Sequence, residues 1–269
     1  MEKELRIMEP MNVDERRVVR QEQWIEEHKR HLKEEKEFTR AYDRMVSRRR
    51  QLPWVKIEKQ YIFENENGKV SFSDLFEGRN QLVVQHFMFG PDDREGCKGC
   101  SFTADHVDCA RMHFEHNNLS FVAVSRGPVD KLLKYKKRMG WSFNWVSSYG
   151  SDFNYDFHVS LTKEEVAKGK AYYNFEMTDV NEAELPGTSV FYKDEKGDIF
   201  HTYSSYARGA ELLIGAYNYL DITPLGRNEI GSGNNLTDWV QRHDEYKERD
   251  SGNNVSNDNG ESEKHSFCS

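Results

Sequence analysis

The chain of 269 residues carries 38 Lys and Arg against 46 Asp and Glu, a formal net charge of −8, and its apolar fraction of 36% is lean but sufficient for a core. No run of about 18 apolar residues occurs, which excludes a membrane-spanning helix, and the acidic balance argues against nucleic acid as a partner. The N-terminus has no apolar stretch of leader type, so the expectation is a soluble, cytoplasmic protein. In that reducing setting Cys97, Cys100, Cys109 and Cys268 are not expected to form structural disulfides.

From Asp14 to Arg50 the chain is dense in Glu, Lys and Arg and free of Gly and Pro. Val18, Ile25, Leu32, Tyr42, Met45 and Val46 recur at helical spacing but make only a narrow stripe. This predicts a solvated helical arm over residues 1–52, ending at Pro53, that lies on the domain or gives a homodimer its contact. LVVQHFMF (Leu82 to Phe89) has strand length. Ser101 to Asn117 reads as one helix with Ser101 as its cap, Phe102, Val107, Ala110 and Phe114 inward, and Cys109 a small core residue. LSFVAVS (Leu119 to Ser125) is a second strand, Val129 to Gly140 an amphipathic helix, and Trp141 to Ser148 a third strand. After a polar insertion at about 150–187, Ser189 to Asp194 and Asp198 to Ser204 form a hairpin around Glu195-Lys196-Gly197. A last helix follows from Tyr206 to Tyr219, and residues 248–269, nearly devoid of apolar side chains, predict a disordered tail. Strands alternating with helices, then a hairpin and a helix, give a single α/β domain over 53–247: a thioredoxin-like fold with a central mixed sheet flanked by helices.

Cys97-Lys98-Gly99-Cys100 falls between the first core strand and the first helix. Two thiols at this spacing can close an internal disulfide, and a thiol at a helix start is held toward its thiolate by free backbone N–H groups. Cys97 is the expected nucleophile, Cys100 the resolving thiol, and Lys98 an added positive charge. The competing reading is a zinc or copper site in which Cys97 and Cys100 are joined by His86 and His106, although the second half of a zinc motif is missing. A third is a binding module without chemistry.

The segments HFMFGPDDREGCKGCSF (His86 to Phe102), VAVSRGPVDKLLKYKKRMGW (Val122 to Trp141) and SDFNYDF (Ser151 to Phe157) resemble the thioredoxin-like family catalogued as domain of unknown function 899. RRRQLPWVKIEKQYIFE, PGTSVFYKD, HTYSSYARG and YNYLDITPLGRNE extend the resemblance from about residue 36 to 247. It implies a thioredoxin-like fold and thiol or peroxiredoxin-like redox chemistry, with Cys97 and Cys100 as the paired thiols. It also points to Asp105, Arg126, Tyr155, His201 and Arg208 as supporting residues. Thioredoxins place a cis-proline just before the strand facing the dithiol; here Pro186 stands too early and Thr188 takes the nearer position. A conventional peroxiredoxin has Thr or Ser three residues before its nucleophile, where this chain has Arg94. The expected partners are therefore a small thiol, disulfide or peroxide and a cellular dithiol reductant, with no cofactor and neither nucleic acid nor membrane.

Overall fold

A computed structural model describes residues 16–227 and 239–246; the expected disordered tail, with Cys268, lies outside them. Helix α1 (Gln21–Arg49) forms the arm, about 43 Å long, and buries none of its residues. Its ends suit the helix dipole, with Glu22 in the first turn and Arg48 and Arg49 in the last. Ion pairs such as Glu26–Lys29 and Glu27–Arg30 line its surface.

Strands β1 (Val55–Lys56), β2 (Ile62–Asn65) and β3 (Gly68–Ser71) lead to the central β4 (Gln81–His86). Two short helices, α2 (Lys98–Ala104) and α3 (Asp108–His116), connect it to β5 (Leu119–Ser125), and α4 (Val129–Arg138) leads to β6 (Asn144–Ser147). The insertion holds α5 (Phe153–Asp156), α6 (Lys163–Lys168) and a separate hairpin of β7 (Lys170–Tyr173) and β8 (Glu176–Asp179). Then β9 (Gly187–Lys193) and β10 (Ile199–Tyr206) form the expected antiparallel pair, and a 3-10 segment (Ala207–Leu213) precedes α7 (Gly215–Asp221).

The eight-stranded sheet runs β1-β10-β9-β4-β5-β6-β2-β3. β4, β5 and β6 are parallel, whereas β9 is antiparallel to β4. This is the thioredoxin-like arrangement, extended at one edge by the β2–β3 hairpin, which composition did not reveal. Alternation along the strands divides the core. Leu82, Val84, Val122, Val124, Val146 and Phe191 pack on one face with Phe153 and Phe157 of the insertion. Phe121, Ala123 and Trp145 pack on the other with Ala104, Val107, Leu132 and Tyr135 of the helices. The insertion aromatics Phe153, Phe157 and Tyr173 are thus core residues.

Three local expectations change. The helix over 101–117 is two helices, and its N-cap is Cys97, not Ser101. At the break, His106 N–H bonds Thr103 O and Val107 N–H bonds Ala104 O, the tighter turns of a helix end. Asp105 and His106 therefore stand at the far end of α2 rather than in its first turn. Cys109 is exposed on α3 rather than a small core residue, and it is disulfide-bonded, contrary to the expectation from a reducing setting. The last helix begins as a 3-10 segment and only becomes α-helical at Gly215.

Candidate functional site

The loop leaving β4 is fixed before it reaches the thiols. Cys97 N–H donates to Met88 O, closing the loop, and Asp93 accepts from Gly90 N–H at 2.7 Å. Gly96 lies so close to the Phe87 and Tyr135 rings that a Cβ there would meet them at 2.7 and 2.8 Å. Its carbonyl accepts from Arg242 at 2.8 Å, and Arg242 also pairs with Glu95.

Cys97, half-buried, then caps α2, and Cys100 stands one turn on, 5% exposed. The Cys100 thiol and the backbone N–H groups of Gly99 and Cys100 favour a thiolate at Cys97, although its side chain closes no capping hydrogen bond. These donors outweigh burial and pull the Cys97 pKa down to about 6. Cys100 is pushed the other way, by its bond to Cys97 and by full burial. Gln85 Nε2 donates to Cys100 O at 2.9 Å, and Met88 N–H to Cys100 Sγ at 3.4 Å. The Lys98 ammonium donates to Gln241 Oε1 at 2.6 Å, a neutral partner, and lies outside the cavity lining. The pair thus consists of an activated sulfur and a protonated neighbour already directed at it.

Both sulfurs line a cavity of about 270 Å³ whose wall includes Met88, Phe102, Pro186, Thr188 and Ile214. Thr188, expected near the dithiol, is there. Glu182 from the insertion faces the thiols and disfavours negative charge on both. No Lys or Arg side chain lines the cavity among the described residues. Glu182, Gln85 and the wall from Ala207 to Ile214 were not apparent in the sequence, because insertion and terminal segments reach the site only through the fold.

The remaining candidates stand elsewhere. Asp105 accepts from Trp141 Nε1 at 2.8 Å and pairs with His243 Nδ1 at 2.7 Å, so it ties α2 to the C-terminal segment. Arg126 forms a largely buried ion pair with Glu184 at 3.1 Å, and its guanidinium lies 4.8 Å from the Tyr155 ring centre. Glu184 also accepts from Ser160 at 2.6 Å. Arg208 is paired with Glu211 in the 3-10 segment. None of Asp105, Arg126, Tyr155, His201 or Arg208 lines the dithiol cavity.

Cys97, Cys100, His86 and His106 are not gathered into one ligand set among the described residues. His106 Nδ1 bonds Phe102 O at 2.7 Å and its Nε2 accepts from Ala216 N–H at 3.0 Å, which occupies both ring nitrogens. His86 lines the cavity but its Nε2 is bonded to Ser189 Oγ at 2.8 Å. Among the described residues no three His, Cys, Asp or Glu side chains come together as a metal site would need. His86 instead begins a buried chain: Ser189 Oγ reaches Ser204 Oγ at 2.8 Å, and Ser204 reaches His201 Nε2 at 2.7 Å. His86 is fully buried against the Phe153 and Phe157 rings, and its Nδ1 has no hydrogen-bond partner. Burial lowers its pKa to about 3, and that of His201 in the same direction.

Fold and site together define a thioredoxin-like protein with two free thiols at the start of the first helix after its central strand. The chain belongs to the family described as bacterial protein of unknown function (DUF899), whose profile matches residues 13–246. No curated protein matches it. Among solved structures, a peroxiredoxin Q variant from Xanthomonas campestris is 13% identical, with a TM-score of 0.39 over 59% of this chain and 90% of that one. The peroxidoxin BcpB of Mycobacterium tuberculosis is 14% identical, TM-score 0.40, over 63% of this chain and 97% of that one. A mitochondrial 2-Cys peroxiredoxin from Plasmodium falciparum is 16% identical, TM-score 0.36, over 62% and 92%.

Proposed function

We propose that this protein is a thiol–disulfide oxidoreductase in which Cys97 attacks and Cys100 resolves. The observation that carries the reading is the placement of two free thiols, Cys97 at the start of α2 and Cys100 one turn on, in the wall of one cavity. The Cys97 thiolate attacks one sulfur of a disulfide, forms a mixed disulfide and expels the other half as a thiolate. Cys100 then loses its proton and attacks Cys97, releasing the second thiol and leaving an internal disulfide. Two electrons pass to the substrate, and a cellular dithiol returns them in a reducing, cytoplasmic setting. No cofactor enters any step.

Disulfide exchange is favoured over peroxide reduction by the residues at the nucleophile. Arg94 occupies the position where a conventional peroxiredoxin carries a hydroxyl, and no cation lines the cavity among the described residues to polarise a peroxide bond.

The test is a redox titration of purified protein in a defined dithiol buffer, with alkylation and intact mass reporting each cysteine and metal content measured on the same sample. The expected result is one reversible two-electron change confined to Cys97 and Cys100, lost in Cys97→Ser. Thiols protected by about one chelatable metal ion per chain would overturn the reading.

A further inference from the structure

A second cleft, of about 600 Å³, lies on the sheet face that carries Gln81 and Val83. On that face α3 covers β5, while β9 and β10 lie open beneath the end of α1 and the 3-10 segment from Ala207. Its volume falls within the range of about 300–1,000 Å³ usual for small-ligand sites. Tyr42, Trp54, Tyr192 and Tyr203 supply aromatic walls, with the Trp54 and Tyr192 ring centres 5.1 Å apart. Arg49 lies over the Tyr203 ring at 4.6 Å, and Arg50 stands beside it in the wall.

The charges in this cleft are one-sided. Two arginines line it and no Asp or Glu does, in a chain of net charge −8. Neither arginine has a carboxylate partner among the described residues, whereas Arg138 on α4 meets Glu95, Asp244 and Glu245. A guanidinium laid on an aromatic ring keeps its edge N–H groups free to bind a carboxylate, sulfonate or phosphate. Aromatic walls around such a fork favour a flat, apolar body on the same molecule. Gln81, Thr202 and Ser205 add neutral polar groups. Thr188 and Ala210 line both this cleft and the dithiol cavity, so a ligand here abuts the wall of the thiol site.

We propose that the cleft between the end of α1 and the β9–β10 face binds a small organic anion with a planar aromatic body, its charge held by Arg49 and Arg50. The proposal does not depend on the chemistry of the thiols. It is tested with two dyes that share an aromatic frame: 8-anilinonaphthalene-1-sulfonate, which is anionic, and N-phenyl-1-naphthylamine, which is neutral. The full-length protein should bind one equivalent of the sulfonate, with energy transfer from tryptophan. Arg49→Gln/Arg50→Gln should weaken that binding at least ten-fold while changing the neutral dye less than three-fold. Trp54→Ala, read by dye fluorescence, should weaken both, with circular dichroism and melting reporting that each variant is folded. Equal losses for both dyes in the double arginine variant, or none for the sulfonate, would overturn the proposal. So would sulfonate binding that disappears as protein concentration rises and a dimer forms, since a second copy would then occupy the cleft.

Discussion

The two sulfurs show how far one environment can separate identical groups. Cys97 at the half-buried helix start is held toward its thiolate by the Cys100 thiol and nearby backbone N–H groups, whereas Cys100 is buried and keeps its proton. Alkylation of Cys97 should therefore rise through about pH 6 and level off above pH 7, rather than climb through the ordinary thiol range near 8.5. Cys100→Ala removes the thiol donor and should move the midpoint upward; a profile unchanged by that variant would remove the explanation. His86 gives a prediction about stability. Its folded pKa, about 3, lies below the unfolded value near 6.5, so the unfolded chain binds the extra proton between those limits. The stability it contributes is present above pH 6.5 and is lost as pH falls toward 3, at up to about 1.4 kcal/mol per pH unit. His201 acts in the same direction. His86→Leu should flatten the slope of unfolding free energy against pH in denaturant melts; an equally steep slope would assign the acid sensitivity to other groups.

At the level of elements, the position of the dithiol depends on one residue without a side chain. Gly96→Ala would drive a methyl into the Phe87 and Tyr135 rings, and overpacking of this kind costs about 1–3 kcal/mol. The variant should melt lower and, because the loop shifts Cys97 relative to Gly99 and Cys100 N–H, lose part of its alkylation rate at pH 7. Full retention of both would show that the rings yield without moving the loop. The elements most legible in the sequence were those whose pattern is local: β5 runs from Leu119 to Ser125 as expected, and α4 stops before Gly140, whose φ of 68° suits glycine. The break between α2 and α3 was illegible because its side-chain ties, Asp105 to Trp141 and His106 to Ala216, come from distant segments. The β2–β3 hairpin, four residues a strand, was too short for periodicity to mark. For the same reason Cys97 and Thr188 could be picked out beforehand, whereas Glu182 could not.

Across the whole molecule, the chain returns to clasp the loop that precedes Cys97. Residues 239–246 place Val240, fully buried, against Phe102, Ile214 and Tyr217, while Arg242 bonds Gly96 O, Glu95 and Glu245. His243 pairs with Asp105, and Asp244 and Glu245 with Arg138. The Arg138 pairs are half-exposed and screened by salt, so they add little each. Arg242 is different: its side chain is only 12% exposed, and removing it leaves a carbonyl beside the dithiol without its donor. Arg242→Met keeps most of the apolar stem, so the apolar contacts of Val240 survive and the loss is confined to hydrogen bonds, about 1–3 kcal/mol. Hydrogen exchange should speed up at Gly96 through Gly99 while β4 and β5 stay protected. Cys97, losing its fixed place at the N–H groups of the helix start, should alkylate more slowly at pH 7 and shift its midpoint toward 8.5. Raising the salt concentration should not reproduce these changes, because the contact to Gly96 is a hydrogen bond to a carbonyl rather than a surface ion pair. If salt alone matched the variant, the clasp would act through the Arg138 cluster instead, and the C-terminal segment would tune the thiol electrostatically rather than by holding its loop.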